Sequence, residues 1–303
     1  MIEAYFQRVA GCRTLNQINA VHIAMTNVMT PMEALAVRDR LAGGSWMFPA
    51  ENVGADGSAS LTAMLATHME KIVGDFVEAG KERAEVFQRV PVARDVWLFS
   101  RGGERSGKTL IIAFTGNADR LMMPTPTFMQ HLDADAVDVL MLVDRSKEGY
   151  RRGLGGIAES IEGLILALPR LGEAQRYRRI VTAGTSGGGL PAVLAGLKLG
   201  VDAVMAVGCR SPHAGRWQDL PGVGLGGAEL LVAWHGETAA KGISIVHGAQ
   251  HAQDAAAAEE IAKLVPARVV PVSVTGVEVQ HNALYPLVRA GRFSPFLREH
   301  LGV

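Results

Sequence analysis

From about Lys108 onward, short runs of β-branched and apolar residues alternate with stretches in which apolar residues return every three or four positions. The runs lie at 109–115, 138–143, 180–183, 203–207, 243–246 and 269–274. This alternation is the pattern of a parallel sheet covered by helices on both faces. An earlier run, Val96 to Ser100, is separated from the first by the turn-like Arg101 to Lys108 stretch and is expected to pair with it as an antiparallel neighbour. The expectation is an α/β fold, a mostly parallel, doubly wound sheet of about seven strands.

The helical stretches carry their own periodicity. Ile157, Ile161, Leu164, Ile165 and Leu168 share one face at intervals of three and four. Leu190, Val193, Leu194 and Leu197 form a narrower stripe among alanines and glycines, which suits a helix packed closely on the sheet. Thr125-Pro126 reads as a cap and first-turn pair, and a helix over 254–264 places Asp254 at its positive end. Residues 1–90 offer helical candidates at 34–41 and 61–88 and no strand, so they predict a helical appendage, with 91–303 as the α/β domain. The charged stretch from Glu70 to Arg89 is read there as a solvated helix face.

Composition narrows the function classes. Of 303 residues 48% are hydrophobic, enough for a large core, and 30 basic residues balance 30 acidic ones. That balance gives no global field to draw the chain to nucleic acid or to an anionic membrane. Cys12 and Cys209 make neither a disulfide framework nor a C-x-x-C pair. With no apolar run of spanning length and with Glu3 and Arg8 in the first residues, the expected location is the cytoplasm.

The chemistry concentrates at Gly184-Thr185-Ser186-Gly187-Gly188, where a β-branched run stops and a small-residue helix begins. G-x-S-x-G between strand and helix is the pattern of a nucleophile elbow. Such a turn is so tight that the residues two before and two after the serine must lack a Cβ, and Gly184 and Gly188 fill those places. Ser186 is thereby the candidate nucleophile. The competing reading is a glycine loop that cradles phosphate, but no lysine follows the glycines.

A serine nucleophile needs a base and an acid that orients it, in the chain order Ser, acid, His. His281 follows the last strand run and precedes the final helical stretch, which makes it the candidate base. Asp254, after the 243–246 run, is the candidate acid, and a helix N-cap is its competing role. Glu259 and Glu260 lie a helix turn away, and Asp202 and Asp219 are the fallback acids. His247 and His251 straddle a strand end without nearby Cys or clustered carboxylates, so no metal is expected.

Taken with the strand order, these motifs over residues 92–303 resemble the α/β-hydrolase superfamily. The resemblance implies an oxyanion hole built from the N–H of Gly187 and a second N–H in Phe114 to Pro124, at Asn117 or Ala118. Two departures stand out: the H-G-G-G loop of many esterases is absent, and the place three residues after Gly248, where the family's acid often stands, holds His251. The implied activity is acyl transfer from an ester-like small molecule to water, with no cofactor. An acyltransferase on the same residues, or an inactive scaffold of the same fold, are the alternatives. For substrate contacts the candidates are Tyr150, Arg151 and Arg152, which follow the 138–143 run, and Met122 beside the oxyanion loop. Between Cys209 and Gly242, Trp217 and Trp234 punctuate a segment with few helical signals, so any lid there is small.

Overall fold

The computed structural model describes residues 1–237 and 240–303. The chain divides into two compact units, Met1–Phe87 with Pro124–Leu132, and Gln88–Met123 with Asp133–Val303.

The first unit is helical: α1 (Ile2–Ala10), α2 (Leu15–Thr26), α3 (Pro31–Ala42), α4 (Ala50–Gly74) and α5 (Thr125–Gln130). Thr14 and Thr30 begin α2 and α3 with capping boxes, each threonine accepting from the third residue's N–H while Gln17 or Glu33 reaches back. Tyr5, Phe6, Ile18, Met29, Phe48 and Leu65 close the core of this unit. The continuous helix expected over 61–88 ends instead at Gly74, and Gly80, at φ 68°, closes the short turn that follows. The Glu70 to Arg89 stretch is therefore not one helix face. Pro126 lies inside the first turn of α5 as expected, but the cap position is Pro124.

The second unit is built on eight strands: β1 (Gln88–Ala93), β2 (Val96–Ser100), β3 (Thr109–Phe114), β4 (Val137–Leu142), β5 (Arg179–Thr185), β6 (Ala203–Val207), β7 (Ile243–Gly248) and β8 (Arg268–Val272). Their order across the sheet is β1-β2-β4-β3-β5-β6-β7-β8, with β3 to β8 parallel throughout. The mostly parallel α/β sheet read from the sequence is thus present. Two details differ. β1 is an additional edge strand, hidden in the sequence by its Pro91 and largely exposed side chains, a composition tolerated where one side of the ladder is unpaired. β2 pairs antiparallel with β4 rather than with β3, because β3 takes the inner position between β4 and β5 and leaves β4 as the partner whose Leu140 and Leu142 face Leu98 and Val96.

Every residue of β3, β4, β6 and β7 is buried, as expected of parallel strands covered on both faces. Leu110, Ile112, Leu140, Val204 and Ile245 meet α6 (Ile161–Leu171), α7 (Gly189–Leu199), α8 (Gly227–Glu237) and α9 (Ala252–Leu264) in one core cluster. At roughly 1.5–3 kcal/mol for each large side chain buried, this cluster is the main source of stability. The C-terminal helices are α10 (Leu284–Arg289) and α11 (Phe293–Leu301), the latter packed against β6. Among the described residues no helix is long and apolar enough to cross a membrane.

Candidate active site

The end of β5 creates the first element of the site. Thr185 is the last strand residue, Ser186–Gly188 make a single tight turn, and α7 begins at Gly189. Ser186 takes φ 53°, a left-handed conformation that costs a non-glycine residue on the order of 1 kcal/mol and is held by its surroundings. A Cβ on Gly184 would overlap the Gly188 carbonyl and stand 2.7 Å from the Ala192 methyl, and one on Gly188 would stand 2.7 Å from the Thr115 oxygen. The two glycines thus let the end of β5, the turn and β3 close on one another.

The loop after β3 lies against this turn. A Cβ on Gly116 would stand 2.9 Å from the Thr185 oxygen and 3.1 Å from Ser186 Cβ. A Cβ on Gly187 would stand 2.6 Å from Asn117 Oδ1, so Asn117 occupies the space that a side chain there would need. Gly116 donates to the Arg120 carbonyl at 3.1 Å and Asp119 donates to the Gly116 carbonyl at 2.9 Å, which folds the loop into a compact turn. Arg145 and Lys147 hold the Asp119 carboxylate.

The loop between β8 and α10 delivers His281. Gly248 makes this possible, since a Cβ there would overlap the carbonyls of Val279 and Gln280 where they cross the end of β7. Gln250 donates its N–H to the Val279 carbonyl at 3.2 Å and accepts from Val279 N at 2.9 Å, tying the His281 loop to the segment that leads into α9. On the other side, Asn282 Nδ2 donates to the Met122 carbonyl at 2.7 Å.

The result is a chain of hydrogen-bonding groups. His281 Nε2 lies 3.0 Å from Ser186 Oγ, and His281 Nδ1 lies 2.6 Å from Asp254 Oδ2. Asp254 is buried, while the His281 ring is 44% exposed. With the proton on Nδ1, the imidazole donates to Asp254 and presents its Nε2 lone pair to the serine hydroxyl. Ser186, Asp254 and His281, singled out separately in the sequence, are therefore brought within one network.

Asp254 reaches His281 from the third position of α9, and the N-cap of that helix is His251 rather than Asp254. His251 Nδ1 lies 3.3 Å from Asp254 N and 3.0 Å from Asp254 Oδ2. One ring tautomer caps the helix and the other donates to the carboxylate. Two histidines thus converge on one buried oxygen, an arrangement that the sequence signalled only as a histidine three residues after Gly248.

Other sequence candidates fall elsewhere. Tyr150, expected at the substrate, is in the core with 1% exposure, its hydroxyl donating to the Leu142 carbonyl at 2.8 Å and its N–H to Asp144 at 2.8 Å. Burial pushes its phenol pKa up, and its hydrogen bonds tie it to Leu142, Thr115 and Asp144 below the surface. Arg151 donates to the Arg216 carbonyl and pairs with Glu148 at 3.4 Å, and Arg152 pairs with the same carboxylate at 3.0 Å. Met122 does lie beside the network, with Met122 Cε and His281 Cε1 each 2.9 Å from where a Cβ on Gly208 would stand. Asp202 pairs with Lys241 at 2.6 Å and accepts from Ile180 N near the start of β5, the end of the strand away from Ser186. His247 is buried against the Gly248 carbonyl. Between Cys209 and Glu237 the chain holds α8 and buries both Trp217 and Trp234 in the core, more helix than the composition there predicts.

A cavity of about 550 Å³ opens onto the His281 and Asp254 side of the network, with His251, Cys209, Arg210 and Glu260 among its other lining residues. Cys209 is the rival nucleophile there. Burial, reinforced by the negative charge of Asp254, pushes its thiol pKa up, which leaves little thiolate at neutral pH.

No protein-family model and no curated protein matches the chain. Among solved structures it is similar to esterase B from Lactobacillus rhamnosis, at 13% identity and a TM-score of 0.46 over 81% of this chain and 98% of that one. It is also similar to an α/β hydrolase from the metagenome of Moroccan lagoon sediments, at 15% identity and a TM-score of 0.46 over 71% and 99%. A dienelactone hydrolase from Anabaena variabilis is similar at 14% identity and a TM-score of 0.44 over 72% and 99%. What the site can do is read from its own side chains.

Proposed function

We propose that the chain is a serine hydrolase of ester-like bonds in small molecules, working through an acyl-enzyme on Ser186. The observation that carries this reading is the pair of hydrogen-bond distances, 3.0 Å from Ser186 Oγ to His281 Nε2 and 2.6 Å from His281 Nδ1 to Asp254 Oδ2. His281 Nε2 takes the hydroxyl proton as Oγ attacks the acyl carbon, and the carbonyl electrons move to oxygen. That oxyanion meets the N–H of Gly187 at the start of the helical segment, where backbone donors lack intrahelical partners, together with an N–H from Asn117 or Ala118. The leaving alcohol, thiol or amine departs with the proton from His281. Water then repeats the cycle and returns the serine. Asp254 holds the Nδ1 proton and balances the transient imidazolium charge. The half-exposed His281 ring gives water access to the base, which favours hydrolysis over transfer to a sequestered acceptor. The chemistry calls on no metal and no organic cofactor.

Exposure to a fluorophosphonate followed by intact-mass spectrometry tests the reading. One adduct per native chain and none on Ser186→Ala is expected. Labelling that persists in the variant, or a native chain that takes no label beside a labelled control hydrolase, would overturn it.

A further inference from the structure

Asp254 has one more histidine than the proposed chemistry uses. His251, Asp254 and His281 bring two imidazole nitrogens and a carboxylate oxygen within 4.8 Å of one another, and all three residues line the same cavity. We propose that these three side chains form a binding site for Zn2+ and that the ion, once bound, switches the serine off; this second part rests on the hydrolase reading above.

The donor set is right for zinc, which takes neutral imidazole and carboxylate together in a tetrahedral shell, with water in the fourth place. Magnesium and calcium prefer all-oxygen shells and are disfavoured here. The geometry is close. At metal–ligand lengths near 2.0–2.1 Å, tetrahedral donors stand about 3.3 Å apart. Asp254 Oδ2 is now 2.6 Å from His281 Nδ1 and 3.0 Å from His251 Nδ1, so these two pairs open by less than about 1 Å to admit the ion, while the two imidazole donors, within 4.8 Å of one another, draw together around it. The exposed half of the His281 ring and the open cavity supply the route of entry.

Inactivation follows from the tautomer. Zinc takes the Nδ1 lone pair of His281, so in the neutral ring the single proton must stand on Nε2. Nε2–H then points at Ser186 Oγ as a donor and has no lone pair to take the hydroxyl proton. The ion leaves the serine, the turn and the oxyanion loop untouched and takes up the base together with the carboxylate that orients it. His251 is the residue that turns an ordinary His–Asp pair into a three-donor site.

Calorimetric titration of ZnCl2 into the native chain, His251→Asn and His281→Ala tests binding without reference to activity. Asparagine keeps an oxygen for capping α9 while removing the imidazole. One ion per native chain is expected, with affinity lowered by at least the roughly tenfold that loss of even an outer-shell partner costs, in each variant. MgCl2 should give no such heat. In parallel, zinc should slow fluorophosphonate labelling of the native chain, and the ratio of rates with and without zinc should return towards unity in His251→Asn, whatever that variant's own rate. Equal zinc affinity in all three chains would overturn the site. Binding with an unchanged labelling rate at saturating zinc would overturn the switch. A chain that takes no label at all would instead overturn the hydrolase reading, and the calorimetric comparison would still decide the site. Should His251→Asn fail to fold, His281→Ala, at a half-exposed ring, carries the same binding expectation.

Discussion

Gly184 and Gly188 bear the tightest steric demands around Ser186, and they separate backbone requirements from chemical ones. Gly184→Ala or Gly188→Ala places a methyl where a carbonyl already stands, so either variant should express without a soluble monomer or melt far below the native chain. Ser186→Ala, by contrast, removes one hydroxyl from a partly exposed position, and its melting temperature should stay within a few degrees of native. Asp254→Asn should keep the fold and slow labelling by about two to four orders of magnitude, because the amide favours the wrong imidazole tautomer; a rate near native would place the orienting acid elsewhere. Ser186 was legible because its signals are local, two glycines and a strand-to-helix transition within five residues. His281 and Asp254 were legible through chain order. The second histidine on Asp254 was not, since its meaning depends on α9 starting at Ala252, and element boundaries are the least certain reading of a sequence. Tyr150 misled for a related reason: a tyrosine after a strand reads the same whether its ring turns to the mouth of the sheet or, as here, under it.

At the scale of elements, the central strands were readable and the edges were not. Buried parallel strands write themselves as uninterrupted apolar runs, whereas β1 carries Gln88, Arg89 and Pro91 on an edge that satisfies only one ladder. The boundary of α4 was missed because charged residues continue past Gly74 with helical spacing, although the chain turns there and closes at Gly80 in a left-handed conformation. One polar element within the sheet makes a strong prediction. Asp138 on β4 has no exposed surface and accepts from Lys108 Nζ at 3.1 Å and from the Tyr177 hydroxyl at 2.9 Å. Asp138→Ala leaves the buried ammonium with only the Gly102 and Ala134 carbonyls and no counter-charge, and should cost about 3–5 kcal/mol in urea unfolding, while the simultaneous change Asp138→Leu with Lys108→Met should recover most of the loss. A single variant within 1 kcal/mol of native, on the order of a surface pair, would show that the pair is hydrated.

For the molecule as a whole, acid is the informative stress. Burial holds the imidazole of His22 down to about 4, helped by the nearby His68, and that of His131 to about 4, helped by Lys81. Both rings belong to the helical unit. Each stays neutral when folded and gains a proton on unfolding once the pH drops below its ordinary value near 6.5. The unfolded chain therefore binds more protons between about 6.5 and 4, and stability is full above that window and falls through it, by about 3 kcal/mol per ring at most. The urea midpoint followed by helical circular dichroism should drop accordingly from pH 7 to 4.5, and His22→Gln should flatten the drop; an unchanged slope would show the ring already charged in the fold. The discontinuity of the helical unit has a consequence in time. Residues 1–87 leave the ribosome well before the 124–132 piece that completes them. At the roughly 5–20 residues per second of synthesis, four helices wait seconds for their fifth while β1 to β3 emerge. Throughout that interval the nascent chain carries an unfinished apolar core, so the step most exposed to chaperones and proteases comes before the parallel strands β3 to β8 can join one another.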